Sequence, residues 1–290
     1  MHHRHDPVRP APPASSAVRR AAVLGSPVAH SLSPVLHSAA YRELGLTGWT
    51  YERHDVDESG LAAFLDGLDT RWAGLSLTMP LKRAVIPLLD EVAPTAASVE
   101  AVNTVLFGGG RRVGENTDIP GMVAALRERG VERVSSAAVL GAGATASSAL
   151  AALARVCTGE VTAYVRGEQR AREMRGWGER LGVPVRVAAW ADAAEALTAP
   201  LVVATTPAGA ADALAERVPA RPGTLFDVLY DPWPTPLAAA FSRRGGTVVA
   251  GLDLLVHQAA LQVEHMTGRS PAPLAAMRAA GEEALHARTA

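Results

Sequence analysis

Residues 137–156 read AAVLGAGATASSALAALARV. A short apolar run, 137–140, leads straight into Gly141-Ala142-Gly143, and an alanine-rich stretch of helical character follows. A buried strand, a glycine turn and a helix in that order place free backbone amides at a helix N-terminus, where a pyrophosphate can dock. A GxG triplet carries little information alone; its meaning comes from the strand before it and the helix after it. The third glycine of the usual fingerprint is absent, and Ala144, Thr145 and Ala146 occupy its region. Gly141, Ala142, Gly143, Ala144 and Thr145 are thus candidate cofactor contacts.

The next apolar run, VTAYV at 161–165, separates NAD from NADP. An acidic residue at its end would take the ribose 2′-hydroxyl of NAD. Here the strand ends in Val165-Arg166-Gly167, with Arg170 one turn later. A guanidinium suits a 2′-phosphate, so the expected cofactor is NADP, with Arg166 at the phosphate.

The pattern repeats outward from this unit. Strands are expected at 20–24, 49–55, 73–78, 102–107, 136–140, 160–165, 184–188, 200–204, 224–229 and 246–250. Helices are expected at 34–44, 59–68, 119–129, 144–156, 168–181, 235–244, 252–266 and 272–288. Strands alternating with helices argue for an α/β chain with parallel sheets. The stretch GGGRRVGENTDIPG, 108–121, reads as a loop. The expected organisation is a disordered tail over 1–18, a substrate-binding domain formed by 19–118 with 252–290, and a Rossmann-like NADP-binding domain over 119–251.

Composition bounds the partners. The 290 residues carry 28 basic and 29 acidic side chains, a balance without electrostatic pull toward nucleic acid or an anionic membrane. No apolar run reaches the roughly 20 residues of a membrane-spanning helix. A single cysteine, Cys157, excludes an internal disulfide and fits a reducing compartment, here the cytoplasm. His2, His3 and His5 read as part of a solvated tail, so no metal is expected.

Lys82 is the single lysine among those 28 basic residues. Lysine can gain and lose a proton where arginine cannot. The sequence places Lys82 in the first turn of a helix opened by Pro80, where the positive end of the macrodipole should lower its pKa. Upstream, GSPVAHSLSPVLHSAA (25–40) presents Ser31 and Ser33 two residues apart. Ser33 reads as the N-cap of a helix begun by Pro34, and the pair could hold a small carboxylate at free helix amides. His30 and His37 read as packing or surface residues. The chain's two asparagines stand in AVNT (Asn103) and GENTD (Asn116). Asp118 follows as either a helix cap or a carboxylate partner for Lys82.

These motifs in this order resemble the shikimate dehydrogenase family. The likeness runs through GSPVAHSLSP, SLTMPLK, AVNT and GENTD to ATTPAG (204–209), FDVLYDPWPTPL (226–237) and GLDLLVHQAALQVEHMTG (251–268). It implies an NADP-dependent oxidoreductase that interconverts 3-dehydroshikimate and shikimate, as a monomer or homodimer. It further implies that Ser31 and Ser33 hold the substrate carboxylate, while Thr78, Asn103, Asp118 and Gln258 take the ring hydroxyls. Lys82 and Asp118 would be catalytic, Tyr230 would lie by substrate and nicotinamide, and Thr205 and the backbone of Gly251 would meet the cofactor. Quinate or an aminated analogue is the alternative substrate within the family. A non-catalytic NADP-binding module is the alternative outside it, and it predicts the loss of Lys82 or Asp118, both of which are present.

Overall fold

Ala21 to Leu24 open the described chain with an apolar core run, AAVL, behind two arginines. The structure, a computed structural model, describes residues 18–289. The expected tail lies outside these residues but for its last position. In chain order the elements are β1 (Arg19–Gly25), α1 (Ser33–Glu43), β2 (Trp49–Asp55), α2 (Leu61–Asp66), β3 (Trp72–Leu77), α3 (Leu81–Ala84), β4 (Glu91–Val92), α4 (Pro94–Val99), β5 (Thr104–Gly108) and β6 (Arg111–Glu115). There follow α5 (Asp118–Glu128), β7 (Ala137–Leu140), α6 (Ala144–Val156), β8 (Val161–Val165), α7 (Glu168–Leu181), β9 (Val185–Ala189), β10 (Leu201–Ala204) and β11 (Thr224–Asp227). The chain closes with α8 (Pro236–Arg243), β12 (Thr247–Val249), α9 (Gly251–Thr267) and α10 (Leu274–Thr289). The stretches Trp190–Thr198 and Asp212–Arg217 are 3₁₀-helical.

The chain forms two compact units. The first comprises the residues up to Ala93, Val102–Glu115 and Ala259–Ala284. The second comprises Pro94–Ala101, Asn116–Gln258 and the residues from Leu285 on.

The first unit is built on a six-stranded sheet in the order β2-β1-β3-β5-β6-β4. β1 pairs in parallel with β2 and β3, while β5 runs antiparallel to both β3 and β6. The sheet is therefore mixed, not parallel throughout as the alternating pattern suggested. The cause is a hairpin inside the expected loop. Gly109 and Gly110 both have positive φ, at 60° and 77°, with Gly108 paired to Arg111 across them. Two consecutive left-handed residues make the tight turn whose twist matches paired strands. RRVGE, the strand that follows, lacks the apolar alternation that would have marked it.

The second unit holds a fully parallel sheet in the order β12-β11-β10-β7-β8-β9. Numbered within the unit, this is the doubly wound order in which the winding direction reverses between the first and fourth strands, here β7 and β10. Val139, Leu150, Leu153, Met174 and Trp177 are at most 1 % exposed and form one core. Each large side chain so buried contributes about 1.5–3 kcal/mol. Trp177 also donates from Nε1 to Glu100 Oε2 at 3.2 Å, which ties the segment after α4 to α7 within this unit. No helix among the described residues is long and apolar enough to cross a membrane.

Candidate active site

In the first unit the predicted substrate residues gather at one end of the sheet. β1 and β3 run in parallel, with Leu24 opposite Leu77, so the segments that leave them emerge together. β5 is antiparallel to β3, with Thr104 opposite Ser76, which brings Asn103 to that same end. Thr78 follows β3 directly, and its amide donates to Leu24 O at 2.9 Å. Ligands in α/β sheets collect at the carboxyl ends of parallel strands, and Ser31, Ser33, Thr78, Lys82 and Asn103 all belong to segments at or beyond that end.

Asn103 is 2 % exposed, and its backbone is fastened on both sides. Its N–H donates to Glu115 O at 3.1 Å, and its carbonyl accepts from Leu77 N at 2.8 Å. One residue earlier, Val102 N donates to Lys82 O at 2.8 Å, which binds the lysine's backbone to the asparagine segment. The Lys82 side chain is half-buried. Its helix, α3, is a single turn of four residues with Pro80 at the N-cap. One turn aligns few peptide dipoles, so the field invoked from the sequence is that of a fragment, not of a full helix. The neighbouring Glu115 carboxyl is pushed above its usual range, first by burial and second by Glu91.

Ser33 is not the N-cap of α1. Leu32 takes that place, and no side chain caps the helix. Ser33 is the first helical residue, 5 % exposed, and its amide donates to Ser31 Oγ at 3.3 Å. The two serines are thus linked, but through backbone and hydroxyl instead of two parallel hydroxyls. Asp118 likewise does not cap α5. It is the first helical residue, behind Thr117 at the cap position, and it is 5 % exposed. Asn116 orders this start: its Oδ1 accepts from Ile119 N at 3.1 Å, and its Nδ2 donates to Ala101 O at 2.9 Å and Ser148 Oγ at 3.0 Å. In the same unit Thr117 Oγ1 donates to Gln258 Oε1 at 3.4 Å, while Gln258 Nε2 donates to Leu255 O at 2.9 Å.

The nucleotide half lies where the winding of the second sheet reverses. Gly141 leaves β7 with φ of 113°, a conformation open to glycine. A Cβ there would stand 2.6 Å from Thr205 Oγ1, which itself donates to Leu140 O at 2.9 Å. Thr205, at the end of β10, therefore closes the turn from the adjacent strand. A Cβ on Gly143 would meet nothing within 4 Å. The start of α6 beside Ala144 and Thr145 thus has room on the Gly143 side, and α6 has no side-chain cap on its first amides. Donors left uncapped in open space fit a phosphate. Arg166 is exposed, with its guanidinium 4.9 Å from the centre of the Trp190 ring. That contact holds the cation at the end of β8. Arg170 is instead engaged by Glu173 at 2.8 Å. At the β12 edge of the sheet, a Cβ on Gly251 would fall 2.3 Å from Val228 O and 2.4 Å from Leu229 O. Tyr230, on the same turn after β11, is half-buried.

Two family models match the chain. The shikimate dehydrogenase substrate binding domain covers residues 23–105, and the shikimate 5′-dehydrogenase C-terminal domain covers 251–280. A shikimate dehydrogenase (NADP(+)) from Moorella thermoacetica is 38% identical over 277 residues, 92% of this chain and 93% of its own length. The chain belongs to the shikimate dehydrogenase family. Solved members agree in fold as well. The shikimate dehydrogenase of Mycobacterium tuberculosis superposes with a TM-score of 0.85 at 41% identity, covering 91% of this chain and 99% of that one. The Thermus thermophilus enzyme, solved in complex with NADP(H) and shikimate, gives a TM-score of 0.80 at 35% identity, covering 92% of this chain and 100% of the other.

In this chain the sequence motifs overlooked a set of buried polar side chains. Tyr51, Ser76, Thr104 and Gln262 are all at most 7 % exposed and hydrogen-bonded to one another in series. The one available signal was Gln262 itself, four residues after Gln258 and so on the same side of the helix.

Proposed function

We infer that this chain is an NADP-dependent shikimate dehydrogenase that reversibly reduces 3-dehydroshikimate to shikimate in the cytoplasm, as a step of aromatic amino-acid biosynthesis. The observation that carries the reading is the family match over most of the chain, joined to the gathering of Ser31, Ser33, Thr78, Lys82 and Asn103 at one sheet end. The nucleotide half fits the cofactor on its own chemistry: an open glycine turn, uncapped helix amides and an exposed arginine. Gly141, Ala142, Gly143, Ala144 and Thr145 would hold the pyrophosphate, Arg166 the 2′-phosphate, and Thr205 and Gly251 the nicotinamide side. NADPH, when bound, supplies hydride to a ketone carbon.

The chain's own residues do the rest. As the ketone becomes an alkoxide, its oxygen needs a proton and a nearby positive charge. The Lys82 ammonium provides both. Arginine in its place would give charge without a usable proton, which accounts for a lysine at this one position. Asp118 accepts a hydrogen bond from a ring hydroxyl and is the second catalytic residue we assign. Thr78, Asn103 and Gln258 take further ring hydroxyls. Ser31 and Ser33 receive the carboxylate, and Tyr230 packs by the ring.

The test is a steady-state assay of shikimate and quinate, each with NADP and with NAD, followed by reduced-nicotinamide absorbance. Turnover of shikimate with NADP, well above the other three combinations, is expected. No turnover with any combination would return the chain to a binding module.

A further inference from the structure

Beneath the proposed substrate residues of the first unit runs a hydrogen-bond network that none of the roles above uses. Gln262 on α9 is its hub and is 1 % exposed. Its Nε2 donates to Asn103 O at 3.2 Å and to Thr104 Oγ1 at 2.9 Å. Its Oε1 accepts from Ser76 Oγ at 2.7 Å and stands 3.4 Å from His37 Nε2. A main-chain carbonyl can only accept, so the carbonyl of Asn103 fixes which end of the Gln262 amide faces it. The direction of each neighbouring proton follows. Thr104 accepts from Gln262, so its own proton is directed to Asn103 Oδ1, 2.9 Å away. On the other side Ser76 donates to Gln262 and accepts from Tyr51 Oη at 2.6 Å, which anchors the hub.

The consequence falls on Asn103. An asparagine amide has two ends of nearly equal shape and opposite hydrogen-bonding sense. With Oδ1 turned to the Thr104 hydroxyl, the Nδ2 end is the one turned away from it. We propose that Gln262 and Thr104 are positioning residues that lock the Asn103 amide with its donor end toward the substrate. Such an asparagine recognises the lone pair of a ring hydroxyl and leaves that hydroxyl's own proton for an acceptor. Were the amide reversed, it would compete for that proton and set oxygen against oxygen. The proposal rests on the reading of Asn103 as a substrate contact.

Thr104→Val keeps the shape of the side chain and removes the proton that holds Oδ1. It should lower kcat/KM for shikimate about tenfold, the range of one neutral hydrogen bond, mostly through KM. The KM for NADP should stay within about twofold, and Thr104→Ser should restore the wild-type value. Gln262→Leu should act in the same direction. The deciding measurement is the double-mutant cycle with Asn103→Ala. If Thr104 works through Asn103, Thr104→Val should change kcat/KM by less than about twofold in the Asn103→Ala background. An equal loss in both backgrounds would mean a merely structural threonine and overturn the proposal. So would a Thr104→Val enzyme with wild-type kcat/KM beside an impaired Asn103→Ala enzyme. An Asn103→Ala enzyme as active as wild type would overturn the reading of Asn103 itself, and the proposal with it.

Discussion

His37→Phe should flatten the acid side of the protein's stability curve. His37 lies on α1 with no exposed surface, its ring stacked on Tyr51 at 3.9 Å between centroids and edge-on to Tyr41 at 6.0 Å. Its Nδ1 has no hydrogen-bond partner among the described residues. Burial lowers its pKa from 6.5 to about 3, with the Gln262 contact a smaller opposing influence. The titratable groups in ring contact are the two tyrosines, whose phenols burial pushes up, so neither supplies a negative charge. In the unfolded chain the imidazole titrates at its ordinary value. Below that pH the unfolded chain binds a proton that the folded chain excludes. The stability is therefore present above 6.5 and is lost as the pH falls toward about 3. From about pH 7 to about pH 5 the loss is ~2 kcal/mol, and each further unit adds ~1.4 kcal/mol. Phenylalanine keeps the stack on Tyr51 and removes the titration. His265, half-buried and also lowered by burial, is present in both proteins and cancels in the comparison. Urea unfolding by circular dichroism across this range should give wild-type stability falling ~2 kcal/mol further than that of His37→Phe. Parallel curves for the two proteins would refute the reasoning, because an imidazole that takes up its proton in the folded state cannot be sealed as the packing describes.

Four further outcomes follow from the proposed site. Lys82→Ala should lower turnover on the order of a hundredfold to ten-thousandfold with modest change in the KM for shikimate, and Lys82→Arg should fail as well, both read by steady-state kinetics. Arg166→Gln should raise the KM for NADP about ten- to a hundredfold while that for NAD stays near wild type, the loss of one charge-assisted contact. Gly143→Ala should leave thermal stability near wild type yet weaken NADP binding by calorimetry, since its Cβ enters open space; Gly141→Ala should lower the melting temperature, because φ of 113° and Thr205 oppose a Cβ. Gly251→Ala should destabilise the second unit and cut cofactor affinity together, as the added carbon would strike the carbonyls of Val228 and Leu229.

The second unit was legible because each of its strands is a short apolar run bounded by turn residues, and the crossovers through α6, α7 and α8 have a helical period; the 3₁₀ stretches Trp190–Thr198 and Asp212–Arg217 showed none and were not expected. All six strands of its sheet were expected within a residue or two at their starts, and α6 and α7 coincide with the residues read from the pattern. The first unit was less so, for local reasons. β6 carries two arginines and two polar or glycine positions in five residues, so its place in the sheet comes from the Gly109-Gly110 hairpin and from pairing with β5, not from its own composition. α3 is a single turn of four residues, too short for a period to show.

The candidate site divides along the same line. A glycine turn or a lone lysine shows in the sequence because its neighbours frame it. A hydrogen-bond direction does not, because it is set by groups that meet only after folding. Asn103 could be picked out as one of two asparagines, but which end of its amide faces the substrate depends on Thr104 beside it and on Gln262, 159 positions away in the chain. The cap readings of Ser33 and Asp118 failed for a related reason: both put a polar side chain at a helix start, where local rules favour a cap. In each case the residue before takes the cap position. Each side chain thus starts its helix without a hydrogen bond spent on capping it. Substrate recognition is the role we assign to both.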